Sequence, residues 1–391
     1  MQVLLQLVDF IHHQNQQYEN VEKDVTSFRE ATSSSPSEHY IFTLMEWLKC
    51  KFNNQQFKTF IPKAFNYSSF QNEGILLFEE HEEPLCIALS YRRWNCLFVS
   101  CYLNNNIDND HDEELDVIYA YDLDVLDHHF EHHSESLPTQ STNSRIIEKC
   151  LPSKFQIQLP KYPSRFCLNE TEEFIIVVCS EYLLCKIHIE TRTIVWQVDF
   201  TSTYNVSVIV HVCMDMGNTF SPTFMNSRMS RTNSIYVTGR NEMFEVDFEN
   251  GSVKRTIDFA YGAGSTFDLN GNLLVPKTFE HAIVTLDITT NEIIQHISGI
   301  HELCLPTHLC IDVVNGNIIA SVPGWHGIVV LSSSISLENP NQLLAFKGDL
   351  NGYYTRNRLE GFYEPNSLCL NAKNGKLFIV DYGNYCVKIF K

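Results

Sequence analysis

The 391-residue chain contains 13 cysteines but no Cys-x-x-Cys pair, so zinc fingers, RING modules and thioredoxin-like sites lack their usual spacing. Long apolar runs are missing too. Nothing approaches the roughly 20 residues of a membrane-spanning helix. The N-terminal MQVLLQLVDFIHHQ has no Lys or Arg ahead of its short, interrupted apolar stretch, which makes it a poor secretory signal. Basic residues are scarce: 28 Lys and Arg stand against 47 Asp and Glu, a formal net charge of −19. Tracking a phosphate backbone needs a basic face, so nucleic acid is a poor default partner. Kinase, B-box and nucleotide-binding motifs are also lacking.

The chain is nevertheless rich enough in core-forming residues to fold. Apolar residues make up 44% and charged residues 19%, a globular composition, and the length suits one large or two modest domains. Most cysteines sit inside apolar runs (Cys167, Cys179, Cys185, Cys310, Cys369, Cys386). That placement suits reduced, buried thiols in a cytoplasmic protein.

Residues 1–70 read as a helical extension. Val3, Leu4, Leu7, Val8 and Ile11 recur at helical spacing, as do Tyr40, Ile41, Leu44, Met45, Trp47 and Leu48. The Ser-rich stretch 32–37 between them is a turn or linker, with Ser and Pro placed to start the second helix. The heptads are not sustained, which favours packing on the main domain over a dimerising hairpin.

From residue 75 the pattern changes to short alternating runs separated by turn residues. A unit recurs with starts at Pro84, Pro163, Asn205, Gly264, Pro306 and Pro365. The spacings are 79, 42, 59, 42 and 59 residues, and each excess over 42 coincides with a polar insertion, at 104–145, 217–233 and 332–361. A period near 42 with several short strands per unit is the signature of a β-propeller blade.

The last unit is the clearest. Gly361-Phe-Tyr-Glu-Pro365 leads one strand, Asn374-Gly375 turns it, and Lys376 to Asp381 forms the next. Asn384 follows, and Cys386 to Phe390 closes the unit. This arrangement resembles the NHL repeat. The match is partial at 264–297 and 304–331, where Asn270-Gly271-Asn272 and Asn315-Gly316-Asn317 supply the same turn, and degenerate over 81–257. The resemblance implies an all-β, six-bladed β-propeller over 74–391. Asp381 and Asn384 are expected to brace a turn through side-chain-to-backbone bonds.

The last unit has only three candidate strands before the chain ends, and an open strand edge invites aggregation. Residues 74–79 precede the first unit without a blade of their own. They are expected to pair beside Cys386–Phe390 and close the ring, so losing 74–80 destabilises more than losing 1–30.

In such a ring the innermost strand of each blade lines a central channel. The third residue of each unit gives Cys86, Arg165, Ser207, Thr266, His308 and Ser367. The loops on the same face contribute Glu181, Tyr182, Arg240, Asn241, His281, Trp325, His326, Tyr382 and Asn384. Lactonase-like six-bladed propellers hold a hard divalent cation, which requires oxygen ligands, and this ring offers no carboxylate. Resemblance to the peptidyl-hydroxyglycine amidating lyase implies zinc held by histidines. Zinc accepts three imidazoles with one open position, and His281, His308 and His326 are the candidates, although they come from only two neighbouring units. Some NHL proteins bind single-stranded RNA, which needs a positive track beside stacking groups; here only Arg165 and Arg240 supply charge. The favoured reading is a non-enzymatic, monomeric scaffold without a cofactor, with a metal-dependent hydrolase or lyase using the same mouth as the alternative and single-stranded RNA binding as the second. The scaffold binds a protein or peptide through Arg165, Tyr182, Arg240, Trp325 and Tyr382, residue types that anchor interfaces.

Two insertions stand apart. Residues 108–135 carry eleven acidic residues, five histidines and no Lys or Arg, and read as a solvated flexible loop. His128-His129 and His132-His133 would stack at i,i+4 on a helix, a spacing suited to a transition metal. A docking arm for a basic partner is the third option. The stretch from Ser227 to Ser234 reads as a polar loop in which basic residues flank serines.

Overall fold

The computed structural model describes residues 63–68, 70, 72–78, 82–91, 93–103, 117–131, 146–147, 151–159, 162–169, 171–204, 208–214, 234–239, 242–259, 264–332, 343–349 and 361–391. Their strands form six sheets, antiparallel apart from one short parallel edge pair, each a blade of a β-propeller. Blade I comprises Glu82–Ser90, Cys96–Leu103, Val117–Asp122 and Phe155–Gln158. Blade II comprises Pro163–Leu168, Phe174–Cys179, Leu183–His188 and Thr193–Asp199. Blade III contains Ile209–Met214, Ser234–Gly239, Glu242–Asp247 and Val253–Asp258, and blade IV contains Thr266–Phe267, Leu273–Lys277, Ala282–Asp287 and Glu292–Ile297. Blade V contains His308–Ile311, Ile318–Val322, Gly327–Leu331 and Leu343–Lys347. Blade VI contains Pro365–Asn371, Lys376–Asp381 and Cys386–Phe390.

Asn72–Leu77 supplies the fourth strand of blade VI. It runs antiparallel to Cys386–Phe390, with Leu77 opposite Cys386 and Asn72 opposite Phe390. Its other edge is covered in parallel by the short strand Ile146–Ile147. Lys376, almost fully buried, holds this junction by ion pairs to Glu73 at 3.1 Å and to Asp127 at 2.8 Å.

The core is not central but divided among the six gaps between blades. Between blades I and II, Phe98, Ile118 and Ile157 meet Phe166, Ile175 and Val177. Between VI and I, Phe378, Val380 and Val387 meet Ile87, Leu97 and Val99. Strands buried on both faces read as continuous apolar runs, and Phe174–Cys179 (FIIVVC) and Ile318–Val322 (IIASV) do so. Turn chemistry repeats as well. Gly271, Gly316 and Gly375 all adopt positive φ, the conformation for which glycine has no steric penalty. Each follows an Asp or Asn whose side chain accepts nearby backbone N–H groups: Asp268, Asp312 and Asn371.

Glu172 fastens blade I to blade II. Its carboxylate accepts the Ser90 hydroxyl at 2.6 Å and the Tyr91 and Arg93 backbone N–H groups at 2.9 and 2.7 Å. Removing this buried acceptor orphans three donors, each costing about 1–3 kcal/mol when left unsatisfied, so Glu172→Ala is expected to lose at least about 2 kcal/mol. Chemical denaturation, with Glu173→Ala as the exposed control, measures the loss.

Two expectations need correction. The acidic stretch 108–135 is not one flexible loop. Its second half forms the third strand of blade I, Val117–Asp122, and the helix Leu123–Glu131. Ile118, Ala120 and Tyr121 fill interblade layers, Val117 is buried, and Leu123 and Leu126 pack between blades I and VI. Apolar alternation therefore outweighs local charge there. His128 is exposed on that helix, and His132 and His133 lie outside the described residues. Nor are residues 63–68 and 70 helical. Phe65 and Phe70 are buried among side chains of blades V and VI, and the Phe65 N–H donates to Asp312. The remainder of the helical extension placed at 1–70 lies outside the described residues, as does the stretch 217–233. Among the described residues, no helix is long and apolar enough to cross a membrane.

Candidate functional site

The innermost strands bring residues from every blade to the channel. In blades I, II, III and VI the ladder to the second strand is irregular at the same place, after Pro84, Pro163, Ile209 and Pro365. A bulge bends the strand and re-aims the side chain beyond it. Counted from that point, the third residue is Cys86, Arg165, His211 or Ser367, and His308 holds the same place after Pro306. The fifth residue is Cys167, Cys213, Cys310 or Cys369 in blades II, III, V and VI. Side chains two apart share a strand face, so a layer of thiols accompanies the polar layer. Burial raises the Cys167, Cys310 and Cys369 thiols above their ordinary range, so these sulfurs are protonated.

The channel register differs from the expected one in blade III. Ser207 lies outside the described residues, and His211, four positions later, takes the third place because the strand begins at Ile209. The sequence carried a usable signal: Cys213 is fifth from Ile209, as Cys167 is from Pro163 and Cys369 from Pro365.

The polar layer is joined across the channel. Arg165 Nη1 donates to the Leu85 carbonyl at 3.0 Å, and Nη2 donates to Asn366 Oδ1, linking blade II to blades I and VI. Ser367 Oγ lies 3.6 Å from Cys86 Sγ. The rings of His211 and His308, from blades III and V, meet edge to face with centroids 5.4 Å apart. His211 Nε2 donates to the Ser265 carbonyl at 3.2 Å. Burial lowers both imidazoles, and the Arg165 charge lowers them further, His211 to about 3 and His308 well below the usual range. Both are neutral at pH 7. Thr266 pairs with Leu274 at the start of blade IV. Beside it Gly264 has φ +44°, and a Cβ there would fall 2.3 Å from the Thr307 carbonyl, so the close approach of the two chains at this point requires glycine.

At the channel mouth a depression opens between blades V and VI, lined by Leu305, Pro323, Gly324, Glu364, Asn366 and Tyr382 among others. The Tyr382 hydroxyl reaches Glu83 at 3.3 Å, and burial, then Glu83, raises its pKa. Trp325 follows Gly324 in the same turn, stacks on His301 at 5.3 Å and donates its indole N–H to the His301 carbonyl. Arg165 touches the depression through Asn366. Tyr182 and Glu181 stand in the tight blade II turn: the Tyr182 carbonyl accepts the Phe200 N–H and the Glu181 carbonyl the Ile209 N–H. Arg240 and Asn241 lie outside the described residues.

The three histidines considered for zinc serve different places. His308 is in the channel. His281 Nδ1 accepts the Leu305 N–H at 3.0 Å, and His326 Nδ1 accepts the Glu364 N–H at 3.3 Å. Each joins a turn of its own blade to the connection leading into the next. Among the described residues, no group of three His, Cys, Asp or Glu side chains is placed to hold a metal ion. Asp381 and Asn384 bond to each other at 2.8 Å, and Asp381 also accepts the Tyr363 N–H and pairs with Lys388 at 2.7 Å.

Residues 362–390, essentially blade VI, match the NHL repeat family. No curated protein matches the chain. Among solved structures, it is similar to a functionally unknown protein from Desulfotomaculum acetoxidans DSM 771. The similarity covers 76% of this chain and 78% of that one, at 10% sequence identity and a TM-score of 0.45. The chain thus carries an NHL repeat within a six-bladed β-propeller.

Proposed function

We propose that this propeller is a non-enzymatic scaffold that receives a protein or peptide at the channel mouth between blades V and VI. The observation that carries the reading is the open depression there. Leu305, Pro323 and Pro365 line it together with Glu364, Asn366 and Tyr382, Trp325 follows Gly324 at its side, and Arg165 is one contact away through Asn366. Aromatic anchors beside polar side chains suit recognition of an extended chain. Repeat rings commonly present such a face while their cores supply stability. The buried, reduced thiols among the described residues support a cytoplasmic location, and action as a monomer belongs to the same proposal. RNA is disfavoured because Arg165 is half-buried and engaged by protein acceptors, leaving no basic track at this mouth among the described residues.

Peptides selected from a random library on the purified protein test this reading. Those bound at the mouth should lose about tenfold or more in affinity on Tyr382→Ala or Trp325→Ala, the scale of an interface anchor. They should be indifferent to Ile294→Ser on the exposed outer strand of blade IV. Ligands insensitive to both mouth substitutions would overturn the proposal.

A further inference from the structure

Arg165 brings a positive charge into the channel with neutral partners only. Its acceptors are the Leu85 carbonyl and the Asn366 amide oxygen, and the Cys86 sulfur lies alongside. A guanidinium has five N–H donors, and among the described residues no carboxylate pairs with this one. Arg165 is half-buried, and a partly desolvated charge without a counter-charge is costly. Across the channel, His211 and His308 each keep a buried Nδ1 that meets no hydrogen-bond partner, and the Ser265 hydroxyl is likewise unsatisfied. Because the Ser265 carbonyl can only accept, it fixes the His211 proton on Nε2 and leaves Nδ1 a bare lone pair. Three unsatisfied polar atoms and a cation without a counter-charge thus lie on or beside the inner strands of blades II to V.

We propose that the channel centre binds a small oxyanion of the carboxylate or phosphate class, held by Arg165 and completed by His211 and His308. The anion would supply the charge that Arg165 lacks. It would also offset the two influences that keep the imidazoles neutral, so that a proton enters at Nδ1 and the new N–H donates to the ligand. The charges acting on His211 and His308 are those of Arg165 and, for His308, His211 itself. The other titratable groups on these inner strands and those of blades I and VI beside them are the thiols of Cys86, Cys167, Cys213, Cys310 and Cys369 and, at the start of the blade I strand, Glu82 and Glu83. Proton uptake on binding makes affinity rise in acid. The approach runs through the mouth, where Asn366 belongs both to the depression and to Arg165. The oxyanion has two sources: a free small molecule, or the carboxylate of a chain seated at the mouth. The second rests on the scaffold reading above.

Histidine NMR of the intact wild-type protein, titrated with sodium acetate and with sodium phosphate at constant ionic strength, tests the site. The expected result is saturable movement of the His211 and His308 ring signals. Affinity should rise toward acid, by up to roughly tenfold per pH unit for each proton taken up. Arg165→Gln should abolish saturation; His308→Asn, which keeps the guanidinium, should retain binding with a weaker pH dependence. Linear response to both salts, the same response to sodium chloride, or unchanged affinity in a folded Arg165→Gln protein would overturn the proposal. Peptides selected at the mouth, with free and amidated C-termini, distinguish the sources. Competition between acetate and only the free-ended peptide assigns the carboxylate to the partner, and acetate binding without competition assigns a free anion. Peptide capture with no anion response would remove this inference and leave the scaffold standing, and the converse would do the reverse.

Discussion

A chain from which residues 72–78 are deleted is expected to lose its cooperative thermal transition and to aggregate. Without Asn72–Leu77, the third strand of blade VI, Cys386–Phe390, exposes an unpaired edge, and the strand Ile146–Ile147 loses its partner. Lys376 simultaneously loses Glu73. The deletion also removes Ile75 and Leu76, both fully buried, and Phe78, which packs with Tyr121. A graded version isolates the packing. Leu76→Ala should cost about 2–5 kcal/mol, the range for truncating a buried leucine, measured by denaturant titration with size-exclusion chromatography as the check on assembly. A deletion variant that melts as sharply as the full chain would mean that the ring does not depend on this strand.

The second large effect is expected at Lys388. Its ammonium sits 2.7 Å from Asp381, and both side chains are essentially excluded from solvent. Lys388→Met leaves a buried carboxylate without its cation, for which about 3–5 kcal/mol is the expected cost. Pairing it with Asp381→Asn should recover much of the loss, since the charge that needed compensation is gone. The sign of the pH dependence follows from the carboxyl itself. Burial raises the Asp381 pKa against the opposing pull of Lys388. The folded protein therefore binds this proton more tightly than the unfolded chain, and the group's contribution to stability falls as pH rises from the ordinary carboxylate range through the folded midpoint. In Lys388→Met that pull is absent and the midpoint moves higher. The gap between variant and wild type should narrow on going from about pH 7 to about pH 5. A gap independent of pH would show that packing, not charge, sets the cost.

The architecture could be read from the chain because a propeller repeats its local chemistry. Proline-led strands, Asn-Gly turns and a period near 42 recur, and the last unit spells them out. Blade III was harder because no proline marks its start; the strand begins at Ile209, and only Cys213 keeps the register visible. The stretch 117–131 was hidden by its own charge, since aspartates on solvent-facing positions dilute an apolar alternation that packing decides. The site was legible by position and less so by partner. Arg165 and His308 follow from counting along a strand, whereas the meeting of Arg165 with Asn366, 201 residues away, depends on ring closure. The turn histidines show the converse: His281 and His326 share a repeat position without sharing a site, because each is held by the backbone of the following connection.

The pairing of Asn72 with Phe390 has a topological consequence. In blades II to IV the third and fourth strands are joined by a short turn, and in blade VI the same two places are occupied by the last strand and the first. Their facing ends lie where that turn would be. A few residues bridging them would reproduce the connection found in those sheets. The ring could then be opened elsewhere, between any two sectors, without altering a ladder. The seam in this protein is therefore a feature of covalent order rather than of the packed object, and a permuted chain would present the same channel and the same mouth.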